Sequence, residues 1–414
     1  MARHIPCGPR PADRTGELGR SHSRARAAHR RRTIDPGRTG PSGEVMLTVV
    51  ICPDSFKGCL AARAAAEAVA RGVRRARPEA QIHVVPMADG GEGTLDVLLD
   101  ALHGSRRRVA ARDPLMRPVE TTVGLIRRAA TAIVELAGVA GYALLAPEER
   151  DPIKTTTYGL GEVLRAAIES GVDEIILAVG GSATLDGGAG MMQALGLSLI
   201  DRAGRVMTPG AGGGSLAEIS YFVWDRPPEG LDSVQVTIAA DVLNPACGPS
   251  GAAAVFGPQK GADPAAVRLL DAGLAHWADL LEAASGRLLR AEPGTGAAGG
   301  VALPLIGLCN AVLMPGVDLV SEAVGLSSLI GRADLVITGE GRIDRQSMMG
   351  KVVGAVGRMC RAAEVPCVAI AGVRGEGADE CLSVLDRIAT LDAPLDQTAE
   401  RLTAVAEALA IEIV

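Results

Sequence analysis

The chain has 414 residues, 48% of them apolar, 22% charged and 2% aromatic, with a net charge of −6 and a pI of about 5.7. At ~150 residues per domain this length allows two or three globular domains with cores large enough to need no disulfide staples. The acidic balance and scarce aromatics argue against a nucleic-acid surface or a base-stacking platform, and no run approaches the ~20 apolar residues of a membrane-spanning helix.

Residues 1–45 hold ten Arg, much Gly, Pro and Ser and no apolar periodicity. They read as a disordered basic extension that lacks the apolar core of a secretory signal. Met46 is the expected natural start, with a basic tail that meets a partner as the other reading. From there the pattern is α/β. An apolar run at 47–52 predicts a buried parallel strand. It ends in Pro53-Asp54-Ser55-Phe56-Lys57-Gly58, where a carboxylate, a hydroxyl and an ammonium meet ahead of a helix over 60–76. Helix starts favour anions through their free N–H groups. A second strand, 81–87, leads into Ala88-Asp89-Gly90-Gly91-Glu92-Gly93-Thr94 and a helix over 92–103. In this loop Gly90 and Gly91 allow close backbone approach, and Asp89 and Glu92 offer oxygen ligands to Mg²⁺.

The rhythm then changes. Segments 106–113, 117–127 and 131–136 read as successive strands with no helices between, an insertion that implies a second domain. Alternation resumes with a helix over 158–170, a strand at 174–179 and a helix over 187–195; the strand–helix loop is Gly180-Gly181-Ser182-Ala183-Thr184-Leu185-Asp186-Gly187-Gly188. Successive N–H groups there suit an anion nest, although neither a Walker A sequence nor a G-x-G-x-x-G loop is present. A hairpin is expected over 197–208, a strand at 234–240 and a helix over 263–285. Asp241 and Asn244 follow the strand, then Phe256-Gly257-Pro258-Gln259-Lys260-Gly261, and a glycine loop at 296–300 holds Gly299 and Gly300. Strands at 333–338, 366–371 and 387–391 and helices near 350–364 and 396–411 complete the chain. Thr338-Gly339-Glu340-Gly341-Arg342-Ile343-Asp344 closes the first of these strands, where paired acids flanked by cations suit a metal and a phosphate.

Two counts sharpen this picture. The chain has eight dispersed Cys without a C-x-x-C pair, which reads as reduced thiols in the cytoplasm. It has only four Lys, at 57, 154, 260 and 351. Arg and Lys are not interchangeable where a compact charge must reach a phosphate, so a Lys retained in an otherwise Arg-rich chain is a candidate for chemistry.

Together PDSFKG, ADGGEGT, TTYGLGE, GGSATLDGGAG, DVLNP, VFGPQKGA, GAAGG and TGEGRIDRQS closely resemble the bacterial glycerate kinase family of the first type, from about 47 to 412. The resemblance implies a flavodoxin-like parallel-sheet domain, 46–104 and 297–414, split in sequence by an inserted mixed α/β domain, 105–296. It implies phosphorylation of D-glycerate by MgATP, at O2, in a cleft between the domains. Asp54 or Asp186 is the candidate base; Asp89, Asp241 and Glu340 are candidates for Mg²⁺. Lys57, Lys260 or Arg342 would bind the glycerate carboxylate and the transferring phosphoryl. Ser55, Gly90, Gly91 and Asn244 join the substrate set, and Gly180, Gly181, Ser182, Thr184, Gly299 and Gly300 would hold nucleotide phosphates. Another small hydroxy acid as acceptor, or a sugar-acid sensor without activity, are the competing readings. No nucleic-acid or membrane partner is expected, and a homodimer is an option left open. Leu185, Thr295 and Ala61 depart from the family pattern.

Overall fold

The computed structural model describes residues 47–391 and 395–412. The basic extension and Met46 lie outside the described residues. Strand β1 (Thr48–Ile51) is buried on both faces. Val49 and Ile51 enter one apolar layer, Val50 and Cys52 the other. That two-sided burial is why the segment reads as a continuous apolar run. Helix Ala62–Ala76 follows, then β2 (Gln81–Val84) and helix Thr94–Leu102. The inserted strands are β3 (Ser105–Arg112), β4 (Pro118–Ile126), β5 (Thr131–Glu135), β6 (Glu174–Ala178), β7 (Ser198–Asp201), β8 (Ile219–Val223), β9 (Gln235–Ala239) and β10 (Val312–Met314). The chain closes with β11 (Leu335–Ile343), β12 (Cys367–Arg374) and β13 (Arg387–Thr390).

The fold is α/β, with one parallel sheet, one mixed sheet and a separate antiparallel pair, β7 with β8. The parallel sheet has the order β13-β12-β11-β1-β2. Counted by its own strands this is 2-1-3-4-5, the flavodoxin-like order, with the second sheet inserted between its second and third strands. Helices Ala62–Ala76 and Thr398–Glu412 cover one face through small residues: a Cβ on Gly72 would sit 2.2 Å from the Thr403 carbonyl, so the two helices cross at backbone contact. Ala61 starts the first helix without a side-chain cap, as its departure from the family pattern suggests, a deficit worth about 1 kcal/mol.

The mixed sheet has the order β10-β9-β6-β5-β4-β3. Strands β10, β9, β6 and β5 run parallel, β4 is reversed against β5, and the edge strand β3 pairs antiparallel with β4 and so shares the direction of the other four. One face packs on helices Tyr158–Ile168, Ala189–Ala194, Pro264–Ser285 and Ala302–Cys309. The other face supplies Ile126, Ile133, Ile176 and Ala239 to an apolar cluster shared with helix Thr94–Leu102, so one core runs through both sheets. Segment 297–314, assigned from sequence to the first domain, adds helix Ala302–Cys309 and β10 to the second sheet's side. The hairpin expected over 197–208 is instead a turn closed by one bridge, Ile200 to Val206; β7 pairs with β8. Among the described residues no helix is long and apolar enough to cross a membrane.

The carboxyl ends of both sheets meet. Gly90, after β2, has φ +84°, and a Cβ on it would lie 2.9 Å from the Ala239 carbonyl that ends β9. Its own carbonyl accepts from Gly180 N–H, after β6, at 3.2 Å. Open α/β sheets collect ligands beyond such strand ends.

Candidate active site

Asp54 leaves β1 and is held against β11, its N–H donating to the Gly339 carbonyl at 2.8 Å. Gly341 lets the following loop lie flat on that strand: a Cβ there would sit 3.3 Å from Lys57 N and Phe56 Cα. Asp54 is only 4% exposed. Burial first, then the charge of Asp89, push its carboxyl up to about 7. Lys57 is exposed and makes no ion pair among the described residues.

Three further carboxylates share this field. Asp89 is half-buried, its Oδ1 accepting from Gly91 N–H at 3.2 Å. Asp241, after β9, accepts from Gly316 N–H at 2.9 Å through Oδ1, while its Oδ2 is buried without a hydrogen-bond partner. Burial and then Asp89 push Asp241 up to about 8. Glu340, within β11, is pushed up by burial and pulled back by Lys351. It takes a bond from Ser347 Oγ and an ion pair from Lys351 at 3.3 Å. Acids raised by each other's charge and by lost water form a site that gains from an incoming cation.

Two cavities open on this loop. One, of about 1150 Å³, is lined by Asp54, Ser55 and Lys57 together with Glu92, Gly93 and Glu135. The other, of about 230 Å³, is lined by Asp54, Ser55 and Lys57 with Glu340, Arg342 and Lys351. The Asp54–Lys57 loop is thus a wall common to both.

A family model described as the Glycerate kinase family matches residues 49–413. The chain belongs to the glycerate kinase family. It is 43% identical over 360 residues to a glycerate kinase of Halalkalibacterium halodurans, covering 85% of this chain and 94% of that one. It is 41% identical over 354 residues to glycerate 2-kinase of Escherichia coli K12, covering 84% and 92%. A solved structure from Salmonella typhimurium LT2, assigned as a glycerate kinase 2, aligns with a TM-score of 0.77 at 36% identity and covers 89% of this chain and 98% of that one. The relatives are kinases, and this chain is an enzyme of that class.

The remaining sequence candidates lie in a second, interior network. Asp186 is fully buried. It accepts from Thr157 N–H and Oγ1, each at 2.8 Å, from Thr156 Oγ1, and from Gly188 and Gly190 N–H, each of these three at 3.2 Å. Burial raises its pKa and these bonds lower it. Lys260, 3% exposed, donates to the Thr184 carbonyl at 2.7 Å and to Ser182 Oγ at 3.3 Å. Burial drops its pKa to about 7, against the pull of Asp186. Gly299 and Gly300 pack on this loop, Gly187 N–H donating to the Gly299 carbonyl at 3.0 Å. Trp277, fully buried, donates its indole N–H to the Gly187 carbonyl at 2.9 Å and meets Phe222 edge-on at 5.6 Å. Ser182, Thr184, Asp186, Lys260, Gly299 and Gly300 line neither cavity. Asn244 braces its own turn, donating to the Ser250 carbonyl at 2.8 Å and accepting from Gly296 N–H at 2.9 Å. Gly180 and Gly181 sit between the two groups, a Cβ on Gly180 lying 2.4 Å from Gly91 Cα.

The structure also accounts for two departures from the family pattern. Leu185 is fully buried in the second core. Thr295 Oγ1 donates to the Glu292 carbonyl at 2.7 Å and accepts from Ala246 N–H at 3.1 Å, closing its turn with a side chain. Glu135 went unnoticed in the sequence. It ends β5 in the second sheet, accepts from Leu95 N–H at 2.8 Å, and burial raises its pKa. Gly93, the residue at the start of that helix, has no side chain to cap it, so Glu135 serves from the neighbouring sheet. A lone acid at the carboxyl end of a strand was the available signal.

Proposed function

We propose that this chain transfers the γ-phosphoryl group of ATP to D-glycerate, at the 2-hydroxyl, and acts with Mg²⁺. Family membership supports glycerate as the acceptor, and the name of the E. coli relative, glycerate 2-kinase, supports O2. The observation that carries the reading is Asp54, a carboxyl pushed to about 7 in the wall between two cavities. A base poised near the working pH suits proton removal from the attacking hydroxyl. Lys57, exposed beside it, is placed to meet charge on the transferring group, and such stabilisation with positioning accounts for most phosphoryl-transfer catalysis.

Among the described residues no group of three or more His, Cys, Asp or Glu is arranged as a metal cage. The donors present are hard oxygens, and Asp241 keeps one buried and unpartnered. That fits Mg²⁺, which binds through one or two carboxylates with substrate phosphates and retained waters rather than a protein cage. Asp89 and Asp241 would hold it, and when bound the ion supplies charge neutralisation to the phosphates. Glu340, already engaged by Ser347 and Lys351, fixes Lys351 at the small cavity. Asp186 and Lys260 act indirectly, by fixing the loop of residues 182–190 behind the site. Cytoplasmic location is consistent with the scattered thiols, none of them paired among the described residues.

Phosphorus NMR of the product formed from ATP, Mg²⁺ and D-glycerate tests this directly. The expected spectrum is that of 2-phosphoglycerate; 3-phosphoglycerate would overturn the position, and ADP formation independent of glycerate would overturn the acceptor.

A further inference from the structure

We propose that Glu135 is a positioning residue: from the second sheet it clasps the loop of residues 89–94 and so fixes Asp89 relative to Asp241. This rests on the reading above of those two acids as the residues that hold Mg²⁺.

The two carboxylates come from different sheets. Asp89 follows β2 of the parallel sheet, and Asp241 follows β9 of the mixed one. Neither sheet alone sets their separation. Mg²⁺ demands near-ideal octahedral geometry, so an Asp89 loop free to drift against Asp241 would bind it less well.

The loop is held on the second sheet at two neighbouring points. Gly180 N–H donates to the Gly90 carbonyl at 3.2 Å, and Glu135 accepts from Leu95 N–H at 2.8 Å. Glu135 on β5 is in register with Ala178 on β6, two residues before Gly180, so both holds leave the carboxyl ends of adjacent strands. The first is backbone to backbone. The second is a side chain, and is the hold that a substitution can remove.

From Leu95 the bonds run back to Asp89. Thr94, fully buried, donates from N–H and Oγ1 to the Gly91 carbonyl at 3.3 and 2.7 Å. Gly91 N–H then donates to Asp89 Oδ1 at 3.2 Å. The helix cannot cap itself. Gly93 sits at φ +95°, where a side chain would be strained, and Thr94 spends its hydroxyl on Gly91. Glu135 takes the bond from the second helical residue that a local N-cap side chain normally accepts, and it lines the large cavity beside Glu92 and Gly93.

A matched control separates positioning from plain capping. Asp263 caps helix Pro264–Ser285, accepting from Ala265 and Ala266 N–H at 2.9 and 2.7 Å, and lines neither cavity. Glu135→Ala should raise the Mg²⁺ concentration for half-maximal activity about tenfold, the lower end of the effect of removing a group behind a metal ligand. It should weaken Mn²⁺ binding to the substrate-free protein, read from the electron paramagnetic resonance of free Mn²⁺, by the same factor. Glu135→Gln keeps an acceptor oxygen and should stay within about twofold of wild type on both readouts. Asp263→Ala should lower the urea midpoint as Glu135→Ala does and leave both metal readouts unchanged. Should Glu135→Ala not fold, Glu135→Asp, one methylene shorter, carries the same expectation. A Glu135 variant that loses stability like Asp263→Ala with Mn²⁺ affinity unchanged overturns the inference and leaves a cap alone. Wild-type Mn²⁺ binding that Asp89→Asn does not weaken overturns the reading of the metal ligands, and the inference falls with it; because that result is seen without any Glu135 variant, the two failures are distinguishable.

Discussion

Lys260 carries the sharpest energetic expectation. Its ammonium is enclosed, and burial lowers its pKa from 10.5 to about 7 in the folded protein. Between those values the unfolded chain binds a proton that the folded protein does not, so stability rises with pH across that window; below 7 both forms are charged and the contribution is lost. Each pH unit inside the window is worth about 1.4 kcal/mol. From pH 7 to pH 9.5 this one side chain should therefore add about 3 kcal/mol to unfolding free energy. Lys260→Met keeps most of the volume and removes the titration. Groups that titrate in both proteins cancel in the difference. Urea unfolding at pH 7 and at pH 9.5 should give a wild-type profile steeper than that of the variant by about that amount. Parallel profiles would refute the argument, and would mean that Lys260 is hydrated or stays charged when folded. The variant should also lose part of kcat, since the Thr184 carbonyl and Ser182 Oγ lose their shared donor.

Two other outcomes follow from the site. Asp54→Asn should lower kcat/KM about 100- to 10,000-fold, the contribution of a general base, and abolish the acidic limb that the wild-type rate should show near pH 7; a variant retaining that limb would assign it to another group. Glu135→Ala removes the acceptor for Leu95 N–H and should cost about 1 kcal/mol, as loss of a helix cap does. Because Glu135 comes from the second sheet, an unchanged denaturation midpoint would show that the helix start is satisfied by water instead.

Much of this arrangement was legible in the sequence because its chemistry sits at strand ends. Strands β1, β2, β6, β9 and β11 were each marked by an apolar run followed by a polar or glycine-rich loop. The segment now seen as β10 was not: three residues, Val312–Met314, are too few to show a period, and the strand exists because β9 offers its edge. The hairpin at 197–208 failed for a related reason. Its turn chemistry is real, with Ala203 and Arg205 N–H both bonded to Asp201, but β8 lies further along and takes the pairing. Motif residues looked alike on paper, whereas burial separates them. Asp54 and Asp186 are both acids in glycine-flanked loops; one lines cavities and the other spends both oxygens on five donors. No spacing distinguishes those cases, because the difference lies in which neighbouring segments close over each carboxylate.

The bond from Trp277 to the Gly187 carbonyl has a practical consequence. The chain holds only two Trp, and the other, Trp224, is half-buried and tied to the Leu195 carbonyl at 3.2 Å. Emission from the fully buried Trp277 indole should therefore report on the loop of residues 182–190 without any attached dye. Titrating nucleotide or glycerate while watching that emission reads out whether this buried scaffold stays rigid when substrates arrive, on the same sample and in the same cuvette as turnover.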